Sequence, residues 1–154
     1  IGYNLEGNEV GAAFGLAQLE KLNTNIKIRR ENFNRQCDFF SKYPNYFSNP
    51  EEIKGSQTAW LAFPLLIKKN APFKRKEMQI YLEKQNIQTR VVFTGNVMRQ
   101  PMCNGINFKA VDGGCPNADE VMRFGILLPV HHGLTEKMFN RFHSTIDKFI
   151  SEYC

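Results

Sequence analysis

A chain of 154 residues has the size of one globular domain, and its 42% hydrophobic content excludes a disordered polymer. Twenty Lys and Arg against 15 Asp and Glu leave a net charge of +5, which suits a phosphate-bearing ligand as well as a nucleic acid. The basic residues fall in short runs (Lys27, Arg29, Arg30; Lys74, Arg75, Lys76) typical of solvated helix faces, so no nucleic-acid partner is expected. No apolar run approaches the roughly 20 residues of a membrane span, which predicts a soluble, cytoplasmic protein with no membrane partner.

The chain opens on GYN and then reads as a helix: Val10, Ala13, Phe14 and Ala17 recur at helical spacing, with Asn8 as N-cap and Glu9 against the positive end of the dipole. Gly11 and Gly15 cost that helix about 1 kcal/mol each relative to Ala, which implies that another backbone comes close. A second helix is expected over 26–43, with Ile26, Phe33, Cys37 and Phe40 inward and Pro44 as its stop. After a Pro- and Gly-containing loop, the apolar run 58–68 predicts a strand in which Pro64 requires an edge position or a bulge. A third helix over 74–85 carries a stripe of Met78, Tyr81, Leu82 and Gln85, closed by Asn86 in a left-handed conformation. Residues 87–93 and 124–130 predict two more strands, separated by a long glycine-bearing loop over 94–115 of the kind that carries function. A last helix is capped by Thr135 and buries Met138, Phe142, Ile146, Phe149 and Tyr153. Strands alternating with helices predict the α/β class, with a small sheet covered on one side by helices and preceded by two long helices.

Cys37, Cys103, Cys115 and Cys154 form no CxxC pair, so free thiols are expected and a zinc site is not. GxSxG, HExxH and GxxxxGK are absent, which removes the common self-contained hydrolase and NTPase signatures. His131 and His132 close a predicted strand. Neighbouring strand residues face opposite sides and no further ligand is spaced for a metal, which leaves contact with a substrate. Residues 93–101, FTGNVMRQP, gather Asn96, Arg99 and Gln100, good donors to hydroxyl or phosphate oxygens, in a turn after a strand. The alternative is a structural turn whose Arg99 pairs with a local carboxylate.

Three ordered segments, GYNLEGNEVGAAFGLAQLEKL, LEKQNIQTRVVFTGNVMRQP and PNADEVMRFGILLPVHHGLT, resemble one family. It is that of the fold-type-I pyridoxal-phosphate (PLP) enzymes of deoxysugar biosynthesis, the DegT-type aminotransferases and their 3-dehydrase relatives. The resemblance implies that residues 1–154 are a single small C-terminal domain of the PLP transferase fold, with the large domain and the residue that holds the cofactor upstream. An opening Ile1 in place of Met agrees with that. It implies no catalytic residue in this portion, which is expected to be inactive alone. It also implies that Asn4 reaches the cofactor phosphate of the neighbouring subunit in a homodimer with a shared site. Phe93, Asn96, Arg99 and His131 or His132 would face a nucleotide-linked 4-keto-6-deoxysugar. With the cofactor as electron sink, the outcome is loss of the 3-hydroxyl or amino transfer, and the loop favours the former. A basic nucleic-acid-binding module or a non-catalytic interaction domain are the readings of another class.

Overall fold

A computed structural model describes residues 7–153 of the protein. Helix α1, Glu9–Leu19, starts where expected: the Asn8 side-chain oxygen accepts from the Gly11 N–H at 2.6 Å. None of its residues is buried; Val10 and Phe14 are exposed, and a Cβ at Gly15 would meet open space. The backbone that its glycines were expected to admit is therefore not among the described residues. Helix α2, Leu22–Phe40, starts earlier than the periodicity indicates and ends before Pro44. It buries Phe33, Phe39 and Phe40, and on the same face two amides, Asn32 and Gln36, while Ile26 and Cys37 are half-buried.

Four strands follow the order β1-β2-β4-β3, every pair antiparallel: β1 Phe47–Ser48, β2 Phe63–Ile67, β3 Arg90–Val91 and β4 Gly125–Leu128. Period-two alternation buries Phe63, Leu65 and Ile67 of β2. This strand is internal, yet β1 pairs only with Leu66 and Ile67, so beside Pro64 it has a neighbour on one side alone. The proline thus sits at a local edge, as a residue without an N–H must. The strand expected over 87–93 shrinks to two residues for visible reasons. The Thr89 N–H and hydroxyl are drawn to Glu83 Oε1 at 2.6 and 3.0 Å, and Phe93 turns out of the sheet with a left-handed φ of 47°.

Helices α3 (Arg75–Lys84), α4 (Pro116–Phe124) and α5 (Glu136–Ser151) complete the α/β fold. Asn86 closes α3 at φ 55°, and the Thr135 hydroxyl caps α5 by accepting from the Met138 N–H at 3.3 Å. Met78 and Leu82 of α3 and Ile146 and Phe149 of α5 bury fully against Leu65 and Ile126 of the sheet. Each such side chain contributes about 1.5–3 kcal/mol of transfer energy. On α5 the buried stripe begins at Phe139, and Met138 faces solvent at 53% exposure. Helix α4, which the glycine-rich surroundings concealed, is tied to α3 by Arg75, whose Nη1 donates to the carbonyls of Met122 (2.6 Å) and Gly125 (3.3 Å). Arg29 likewise holds the carbonyls of Trp60 and Leu61, and Arg30 pairs with Glu52, so these basic residues are engaged within the chain. No helix among the described residues is long and apolar enough to cross a membrane.

Candidate functional site

The turn after β3 is built around one carboxylate. Gly95, at φ 64°, lies where a Cβ would come within 2.8 Å of the Met122 backbone, so no larger residue fits that turn without a shift. Asn96, 3% exposed, donates through Nδ2 to Asp119 at 2.8 Å and accepts the Met98 N–H at 3.0 Å, capping the short 3-10 turn Val97–Arg99. Arg99 donates to both Asp119 oxygens, at 3.1 and 2.9 Å. Arg99 first and Asn96 second hold the Asp119 carboxyl below its ordinary range. Gln100 donates to the Thr94 carbonyl at 2.7 Å. These hydrogen bonds of the FTGNVMRQP turn are thus directed at the chain itself, although Arg99 stays largely exposed.

Beside this turn lies a cleft of about 1090 Å³ bounded by β3, β4, the segment 129–131 and the first turns of α5. Leu61, Val91, Phe93, Leu134 and Met138 make its walls apolar, and Arg90, Arg141 and His131, with Asn86 and Gln88, are its polar groups. The Phe93 ring is 78% exposed. Arg141 is oriented by the Gln85 carbonyl, to which its Nη2 donates at 2.6 Å. His131 Nδ1 accepts the Gly133 N–H at 2.9 Å, so a neutral ring carries its proton on Nε2. Among the described residues no lysine lines the cleft.

The two histidines do not diverge as strand neighbours would. β4 ends at Leu128, both lie in the turn beyond it, and their rings approach to 4.1 Å. His132 Nδ1 is buried and has no partner among the described residues. Burial first, then His131 and Arg29, push its pKa down, which keeps the ring neutral near pH 7. Among the described residues no group of three or more His, Cys, Asp or Glu could hold a metal.

Of the residues singled out in the sequence, Phe93 and His131 meet at the cleft, whereas Asn96 and Arg99 gather on Asp119 and His132 lies tilted against His131. Asn4 lies outside the described residues. Sequence reading missed Arg90 and Arg141, which carry no local signal. It also missed Asn32 and Gln36, for which a signal exists: two amides at i, i+4 on an otherwise aromatic helix face. Apolar walls flanked by cations and a ring N–H suit an organic ligand that bears negative charge.

The chain is 30% identical over 149 residues to the lipopolysaccharide biosynthesis protein RfbH of Salmonella typhimurium, covering 97% of this chain and 34% of that protein. It is 28% identical over 143 residues to the GDP-4-keto-6-deoxy-D-mannose 3-dehydratase of Yersinia pseudotuberculosis, covering 92% of this chain and 36% of that one. Its fold matches the structure of the Escherichia coli GDP-4-keto-6-deoxy-D-mannose-3-dehydratase with bound hydrated PLP. The TM-score is 0.79 at 26% identity, over 94% of this chain and 36% of the other. The chain therefore spans about a third of the length of these relatives. Residues 1–147 match the DegT/DnrJ/EryC1/StrS aminotransferase family, and the chain belongs to that family.

Proposed function

We propose that residues 1–154 are the single C-terminal domain of a cytoplasmic PLP-dependent enzyme that removes the 3-hydroxyl of a nucleotide-linked 4-keto-6-deoxysugar. The observation that carries this reading is the cleft, apolar-walled and cation-flanked, with Phe93 and His131 on its lining. In this reading the exposed Phe93 ring offers a face to the sugar or the base, and Arg90 and Arg141 offer charge to the diphosphate. His131 presents its Nε2–H to a ligand oxygen. Asn96 and Arg99 hold the turn that carries Phe93, and Arg99 reaches the ligand only by exchanging one Asp119 contact for it.

When bound, PLP supplies an electron sink for bond breaking next to the carbonyl carbon. With no lysine among the described residues of the cleft, in this reading they offer the cofactor noncovalent contacts alone. In this reading its covalent or histidine partner lies in the part of the relatives that this chain does not span. Asn4 contacts the cofactor phosphate of the neighbouring subunit, and the uncovered apolar residues of α1 meet the rest of a homodimer with a shared active site. The chain alone is then inactive and, mixed with PLP, develops no stable cofactor-derived absorbance.

The reading is tested with the enzyme that contains this chain and the remaining length of its relatives, supplied with PLP, glutamate and GDP-4-keto-6-deoxy-D-mannose. Mass spectrometry is expected to find a sugar that has lost one oxygen. A sugar that has gained nitrogen with its 3-hydroxyl intact selects the aminotransferase reading, which the family's name favours. Neither product, together with no binding of GDP, overturns both.

A further inference from the structure

Two buried amides approach the cleft from behind. Asn32 and Gln36 are four residues apart and therefore on one face of α2, at 9% and 0% exposure. Asn32 Nδ2 donates to the His131 carbonyl at 2.9 Å, and Gln36 Nε2 donates to the Pro129 carbonyl at 3.0 Å. These acceptors alternate along the segment that follows β4, just where pairing with β2 stops at Leu128. The helix thus supplies side-chain donors where the ladder of backbone bonds runs out, and Pro129, Val130 and His131 all line the cleft. Because Gln36 spends its amide N–H on Pro129, its oxygen is left for His143 Nε2 at 2.9 Å, which must then carry the proton. An aromatic helix face admits two amides in this way only when both are matched.

We propose that Asn32 and Gln36 are positioning residues of the cleft: together they fix the carbonyls of His131 and Pro129 and so set where the His131 imidazole presents its Nε2–H. That a ligand receives this N–H rests on the function proposed above, whereas the fixing of the segment does not. The turn beyond, in which His131 Nδ1 accepts from Gly133, is held from one side by this pair and reports its condition.

The test is nuclear magnetic resonance of the 154-residue chain with 15N-labelled histidine, with amide exchange measured in parallel and no ligand added. In the wild type His131 is expected as the Nε2–H tautomer with Nδ1 accepting a hydrogen bond. Asn32→Leu and Gln36→Met keep approximate size and remove the donors. In each, the Gly133 amide is expected to exchange about tenfold faster and His131 to populate both tautomers. The amides of Leu65 and Ile146 should stay within about twofold of wild type, as a local opening requires. Gln36→Met also removes the acceptor of His143, whose ring signals are expected to change in that variant and to remain those of the Nε2–H form in Asn32→Leu. Unchanged Gly133 and His131 signals overturn the proposal, and so does equal acceleration at Gly133, Leu65 and Ile146, which marks general destabilisation. Should neither variant fold, the wild-type side-chain amide protons of Asn32 and Gln36 decide: slow exchange supports the proposal and free exchange overturns it. The signals need no substrate, so a failed turnover assay refutes the proposed function and leaves this inference standing, and the reverse holds equally.

Discussion

Asp119 receives Asn96 and two donors of one Arg99 edge, so the turn that bears Phe93 depends on a carboxylate 20 or more residues away. Asn96→Ala removes a buried amide with two partners and is expected to cost about 1–2 kcal/mol, read as a lower urea midpoint at unchanged slope. Gly95→Ala is expected to cost about 1–3 kcal/mol in the same measurement, because the added Cβ meets Met122 at a backbone conformation that L-residues disfavour. His143 makes a third case at this scale. Its ring stacks on Phe39 at 3.9 Å, and burial first, then Arg35, push its pKa down to about 4, with Asp147 opposing. The unfolded ring takes up a proton near pH 6.5 and the folded one only near 4, so between those values the unfolded state binds more protons. His143 therefore favours folding fully above pH 6.5 and progressively less down to about 4. A ring titration by nuclear magnetic resonance with its midpoint near 4 is expected, and a midpoint near 6.5 would remove burial as the cause. The caps Asn8, Thr135 and Asn86 were legible in the sequence because their chemistry closes within a few residues. The partner of Arg99 was not, since only the folded chain brings Asp119 beside it.

Among the elements, α5 separates burial from exposure within two turns. Ile146→Ala, at a fully buried position, is expected to cost about 2–5 kcal/mol, whereas Met138→Ala, on the cleft side, should stay within about 0.5 kcal/mol by urea denaturation. If Met138 costs as much as Ile146, the cleft is closed in solution. Long periodic elements were readable in outline: α2, α3, β4 and α5 all stand where apolar spacing puts them. Short ones were less so. β1 was missed, β3 was read as a longer strand over 87–93 and holds two residues, and α4 follows a glycine-rich stretch that masks its start. The Met138 assignment failed because a helical stripe fixes which face is apolar without fixing where the core ends.

At the scale of the molecule, α1 buries none of its residues, although it is mostly apolar. Val10→Ser with Phe14→Ser is expected to leave the urea midpoint of the isolated chain unchanged within about 0.5 kcal/mol. The same pair should weaken self-association of the enzyme that contains it, measured by sedimentation velocity. A lower midpoint in the isolated chain would show that α1 packs on its own domain instead. Family membership was legible because its motifs are contiguous in sequence, whereas the cleft is assembled from residues 61–62, 86–93 and 127–142 and could not be read before folding.

The sheet itself carries a safeguard. Beyond Ser48 no strand among the described residues pairs with that flank of β2, and Pro64 there has no N–H to offer an incoming strand. At the opposite edge, β3 presents only Arg90 and Val91, too short and too charged to template a long ladder. In the proposed homodimer the apolar surface of α1 is then free to serve helix-mediated assembly, because neither sheet edge invites edge-to-edge fibril growth.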